Sequence, residues 1–199
     1  MKLEEEVLDY FRVIHNCCNT IEYTYGKKNS LYIPLFTGSI DHSLSIHMLD
    51  KQELTVSSFA LVRPMVESYL RAMWVKFCLS EDKISEGCEK LHFPNKLDIL
   101  LSEVEEAVPQ NDVFRSFKSS IEPALVNMHD FTHGGVQSIA RQYGVDGNLT
   151  NQGNQAERQE LLKLALLVSS LSYEKLTPFM SHGRPCEEIY GLVMNQIKL

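Results

Sequence analysis

The stretch that most constrains this chain is ELTVSSFALVRPMVESYLRAMWVKFCL, residues 53–79. It is the most apolar long segment, and its apolar positions recur with helical rather than alternating spacing. A segment of this kind has to be buried, so the spacing predicts a central helix with other helices wrapped around it. Pro64 interrupts it, and a proline either kinks a helix or opens it at its first turn.

The flanking sequence follows the same period. LEEEVLDYFRVIHNCCNTIEYTY places Val7, Leu8, Phe11, Ile14, Cys18 and Ile21 on one stripe, which predicts a first helix over 3–24. GKKNSLYIPLFTG, with two glycines and a proline, reads as a break. IDHSLSIHMLDK then reads as a shorter helix capped by Asp41. A short acidic helix in SEDKISEGCEKL and an amphipathic one in FPNKLDILLSEVEEAV follow. NDVFRSFKSSIEPALVNMHDFTH reads as one or two helices divided near Pro123 and ending at Gly134-Gly135. VQSIARQY adds two turns, GVDGNLTNQGN is a polar loop, and helices over 155–181 and PCEEIYGLVMNQIKL close the chain. No segment alternates with period two, and the loop at 144–154 is too short to separate domains. The expectation is one all-α domain over 1–199, a single-domain multi-helix bundle. RPMVESY and RPCEEIY share a pattern, but proline and an acid in a first helical turn account for it.

Composition narrows the function. A formal net charge of -7 argues against broad binding to a nucleic-acid backbone, so no bulk DNA binding is expected. Cys17, Cys18, Cys78, Cys88 and Cys186 are odd in number and show no C-x-x-C spacing, which fits a reducing cytoplasm rather than a disulfide framework. The N-terminus is acidic, without a signal-peptide core. LLKLALLVSSLSY is too short to span a bilayer, so no membrane partner is expected.

Two constellations carry chemistry. Arg63, Glu67 and Arg71 step by four residues and share one side of a helix, and Trp74 completes the row. Either this is a self-satisfied Arg-Glu-Arg ladder with tryptophan packed on an arginine, or it is an anion site whose guanidiniums form two forks for phosphate. Within MHDFTHGG, His129 and His133 are one turn apart near a helix C-terminus, with Asp130 the nearest residue to orient a ring. The negative end of the helix dipole favours a cation at His133, which makes it either a structural cap or a general acid. Gly134-Gly135 supplies the left-handed residue that ends the helix. A zinc site of the HExxH kind is not expected, since Asp130 replaces glutamate and no third ligand is near. Neither a metal nor a cofactor is expected.

LVRPMVESYLRAMW, followed some sixty residues later by MHDFTHGGVQSIAR and a long apolar helix, resembles uncharacterised bacterial families grouped near the HEPN-like helical proteins of the abortive-infection type. The resemblance covers most of residues 55–180 and rests on Arg-Pro-x-x-Glu-x-x-x-Arg-x-x-Trp and Thr-His-Gly-Gly. It implies a HEPN-like helical bundle, a homodimer, and metal-independent RNA cleavage in a defence or toxin system. Carried onto this chain, it makes His133 the residue that handles the 2′-hydroxyl proton, with Arg63 and Arg71 stabilising the phosphorane. Glu67, Asp130, His129 and Trp74 become the supporting residues. The family's Arg-x(4-6)-His spacing is absent after every arginine, so either the site assembles between helices or this branch is not a nuclease. The alternative is a non-catalytic module that binds a protein partner or a small anionic ligand. It predicts an exposed apolar face and no open charged cleft.

Overall fold

The computed structural model describes residues 2–22, 26–84, 91–144, 146–150, 154–182 and 191. Ten helices run through them: α1 (Lys2–Cys18), α2 (Asn29–Lys51), α3 (Thr55–Ala60), α4 (Val62–Phe77), α5 (Glu81–Ile84), α6 (Leu97–Ala107), α7 (Asp112–Ile121), α8 (Leu125–His133), α9 (Val136–Ala140) and α10 (Gln155–Leu176). Among the described residues there is no strand, only the isolated bridges Ile21 to Met180 and Tyr143 to Leu149. The all-α multi-helix bundle anticipated from the periodicity is what forms.

The expected first helix stops at Cys18 rather than continuing to 24. Thr20 Oγ1 donates to the Cys17 carbonyl, and the Glu22 amide donates to Phe179. The chain leaves the helix to pair with the segment after α10. The larger correction is α2. What read as a break and a short helix is one helix through Pro34 and Gly38, and Asp41 lies exposed in its middle, where it caps nothing. Pro34 removes only the bond to the Ser30 carbonyl, and Thr37 Oγ1 donates to the carbonyls of Ile33 and Pro34. Burial of Tyr32, Ile33, Phe36, Ile40 and Ile46 outweighs that loss, at roughly 1.5–3 kcal/mol for each large side chain.

Pro64 resolves the other way. The 53–79 segment divides at Leu61 into α3 and α4, and Pro64 falls in the first turn of α4, where an amide has no intrahelical partner. The Pro123 division also forms, as a 3-10 turn over Glu122–Ala124 between α7 and α8. The expected acidic helix is described only over Glu81–Ile84. The RPCEEIY echo and the final helix fall outside the described residues, apart from Gly191.

α4 is the central helix. Met65, Val66, Leu70, Ala72, Met73 and Val75 are fully buried, packed chiefly between α2 and α6. Small residues let α2 approach closely, with Ser39 Oγ donating to the Met65 carbonyl at 3.0 Å. An aromatic chain crosses the core from Phe36 to Tyr69 (6.0 Å between centroids) and from Tyr69 to Phe117 (5.2 Å). α10 packs along α2 and also touches α4. Tyr10 shares a 2.8 Å hydrogen bond with Ser169, and Arg158 Nε donates to Asp50 Oδ1 at 2.6 Å.

The core also governs the thiols. Burial, with Cys17 and Asp41 nearby, pushes the Cys18 thiol up to about 12. Burial and the charge of Glu103 raise Cys78 to about 11. Thiolate is the reactive form, so at pH 8 iodoacetamide should modify both far more slowly in the native protein than in urea. Site-resolved mass spectrometry reads this directly. Native rates equal to unfolded rates would show that the two thiols are not held in the packed interior.

Candidate functional site

The site is built where the first three turns of α4 meet the last turn of α8. Pro64 starts α4 so that Arg63, Glu67 and Arg71 fall on one side, while Met65, Val66, Tyr69 and Leu70 turn into the core. α8 ends at Gly134, whose φ of 70° is left-handed and suits glycine. The second glycine has a different reason. A Cβ at Gly135 would lie 2.6 Å from Asp130 Cγ, so only glycine lets the chain pass that close. Together they stop the helix abruptly and leave Thr132 and His133 at its open end.

Leu35, Arg63, Pro64, Glu67, Ser68, Arg71, Thr132 and His133 line an open pocket of about 350 Å³. The three residues expected to carry chemistry, His133, Arg63 and Arg71, therefore border one cavity, although His133 lies on a different helix from the arginines. Glu67 stands between the arginines. It pairs with Arg63 Nε at 3.5 Å and closely with Arg71 Nη2. All three charged side chains are half-buried, and one carboxylate faces two guanidiniums, so the row keeps a net positive charge. Arg63 also reaches across to α8, with its Nη1 3.1 Å from His129 Nδ1. The rings of His129 and His133 lie 4.5 Å apart between centroids. His129 does not line the pocket itself, but it touches two residues that do, Arg63 and His133.

Two of the expected supporting residues lie elsewhere. Asp130 orients neither imidazole. Its carbonyl accepts from the Gly135 amide at 2.7 Å, and its carboxylate faces Gly135 and the start of α9. Trp74 does not complete the row, because three residues beyond Arg71 rather than four it turns toward α6. There Nε1 donates to Glu103, and the ring packs on Phe93. Phe93 takes the expected aromatic role, with the Arg71 guanidinium 5.0 Å from its ring centroid. Phe93 comes from an irregular segment before α6, and no periodicity pointed to it. Ser68 and Thr132 were also missed, though both adjoin motif residues. Among the described residues, no group of three His, Cys, Asp or Glu side chains is placed to hold a metal ion.

A second cavity of about 580 Å³ lies on another face of α8, between it and α10. Phe59, Met128, Phe131, Leu161 and Leu164 make it largely apolar. Arg141 closes one wall, stacked 4.4 Å from the Phe131 centroid and paired with Glu157 at 3.0 Å. Beside it, Val136, Ile139, Tyr143 and Leu149 are more than half exposed. The chain thus has both an open charged pocket and an exposed apolar face. No helix among the described residues is long and apolar enough to cross a membrane.

What this site belongs to is a helical-bundle protein with a paired-arginine, paired-histidine pocket. A profile described as "Family of unknown function (DUF6988)" matches residues 36–171, from α2 to α10, and the chain belongs to that family. No curated protein and no solved structure matches the chain.

Proposed function

We propose that this protein is a HEPN-like RNA-binding effector whose α4–α8 pocket cleaves RNA without a metal ion. The observation that carries this reading is the convergence of Arg63, Arg71 and His133 on one open pocket. Two guanidiniums offer planar forks to a phosphodiester, and His133 supplies an ionisable group at the same cavity. The pocket is small beside the acidic whole, so it favours one bound phosphate over a long backbone track. A cytoplasmic homodimer acting in bacterial defence or as a toxin is the setting this reading implies.

The test is cleavage of several RNAs by the purified full chain with EDTA present. Wild type should cleave, and His133→Ala and Arg63→Ala should each lose activity while unfolding at the wild-type denaturant midpoint. No cleavage by folded wild type refutes the nuclease reading. The apolar groove and its exposed neighbours favour the second reading, a non-catalytic module that holds a partner there. That reading gains if folded wild type cleaves none of the RNAs.

A further inference from the structure

We propose that His129 is the general base of this pocket, held in reserve by Arg63 until a phosphate draws the arginine away. This rests on the RNA-cleaving reading above and goes beyond it by dividing the labour between the two histidines.

The division follows from what arginine cannot do. A guanidinium has five N–H donors and no acceptor. At 3.1 Å, Arg63 Nη1 therefore donates to a lone pair on His129 Nδ1, and that contact requires a neutral ring with its proton on Nε2. Glu67 steadies the same arginine from α4 through Nε. His133 is in a different state of contact. No hydrogen bond to its ring is formed among the described residues, and it borders the pocket directly from the last turn of α8. Asp130 faces Gly135 and Gln137, so it does not impose the opposite assignment.

A bound phosphodiester competes for Arg63. Its anionic oxygens are stronger acceptors than an imidazole nitrogen, so the arginine turns its N–H groups to them and uncovers Nδ1. His129 Nδ1 then takes the proton of the 2′-hydroxyl as the 2′-oxygen bonds to phosphorus. The bond from phosphorus to the 5′-oxygen breaks, and the 5′-oxygen takes the proton of His133. The products are a 2′,3′-cyclic phosphate and a 5′-hydroxyl, and no further reactant is consumed. Arg63 and Arg71 hold the non-bridging oxygens as charge builds on them. The resting arginine is thus both a latch on the base and part of the anion site.

An RNA whose scissile 5′-oxygen is replaced by sulfur separates the two roles, because a thiolate leaves without a proton. His129→Ala should slow ordinary RNA by about 10²–10⁴-fold and remain as slow on the sulfur substrate. His133→Ala should be slow on ordinary RNA and recover to within about tenfold of wild type on the sulfur substrate, the recovery being part of the loss usual for a missing acid. His129 is exposed, so its variant retains the fold. Sulfur rescue of His129→Ala, or its wild-type rate on ordinary RNA, overturns the assignment while leaving RNA cleavage standing. Wild type that cleaves neither substrate overturns the cleavage reading and the assignment with it. ¹⁵N spectra of the histidines give a check independent of turnover. His129 should rest as the Nε2–H form and lose that fixed tautomer on addition of inorganic phosphate or in Arg63→Ala. A resting Nδ1–H form overturns the latch.

Discussion

Arg71→Lys is expected to lower RNA cleavage by about 10²–10³-fold, the loss typical of one donor removed from a site of developing charge. The substitution keeps the positive charge, so it asks whether the fork matters. Arg71 is braced on two sides, by Glu67 at Nη2 and by the Phe93 ring under its guanidinium. Its Nε is buried without a hydrogen-bond partner among the described residues, so Glu67 alone does not exhaust its donors. A lysine ammonium carries no planar fork and loses the stacked position over Phe93. Stability should change little, because an i,i+4 pair with its arginine 36% exposed contributes roughly 0.3–0.5 kcal/mol. Initial rates on one RNA, alongside urea midpoints for both proteins, check the two halves together. A lysine variant that cleaves as fast as wild type would reduce the row to a structural ladder.

The second large effect lies in the core. Phe117→Ala is expected to destabilise the fold by about 3–5 kcal/mol, the usual range for emptying a buried aromatic site. Phe117 is 2% exposed and meets Tyr69 edge-on at 5.2 Å, and Tyr69 in turn meets Phe36. These rings join α7, α4 and α2, so no single helix can shift to fill the space. Against a total stability of roughly 5–15 kcal/mol, the variant approaches the edge of folding. Because Tyr69 lies on α4 between Glu67 and Arg71, the same loss loosens the row that borders the pocket. Urea unfolding followed by circular dichroism measures the effect. A loss below about 1 kcal/mol would mean the site collapses freely, contrary to the packing of three helices.

Much of the architecture was legible because helical spacing is a local property. The 53–79 segment announced the central helix, Pro64 its start, and Gly134 the end of α8. Pro34 was misread for an equally local reason. Proline and two glycines signal a break, and only the buried face of α2 outweighs that signal. The site was legible residue by residue but not as an arrangement. Arg63, Arg71 and His133 could be singled out by type and spacing, and four-residue steps placed Glu67 between the arginines. Trp74 was placed on the same row one residue short of that step, and the drift was enough to send it to Glu103. Asp130, adjacent to His129 in sequence, projects to another side of α8, because neighbouring residues on a helix diverge by about 100°.

The amino-acid sequence by itself determined that the chain is helical, that the 53–79 segment is central, where α8 ends, and which charged and imidazole groups α4 and α8 carry. Those follow from periodicity, proline and glycine, all of which act within a few residues. Only the tertiary structure decided that Arg63 reaches His129 across two helices, that Phe93 rather than Trp74 supports Arg71, and that an apolar groove opens on the far side of α8. Those contacts depend on how helices pack and on the angle at which α8 meets α4. That geometry is set by the whole core at once, and no short stretch of chain encodes it.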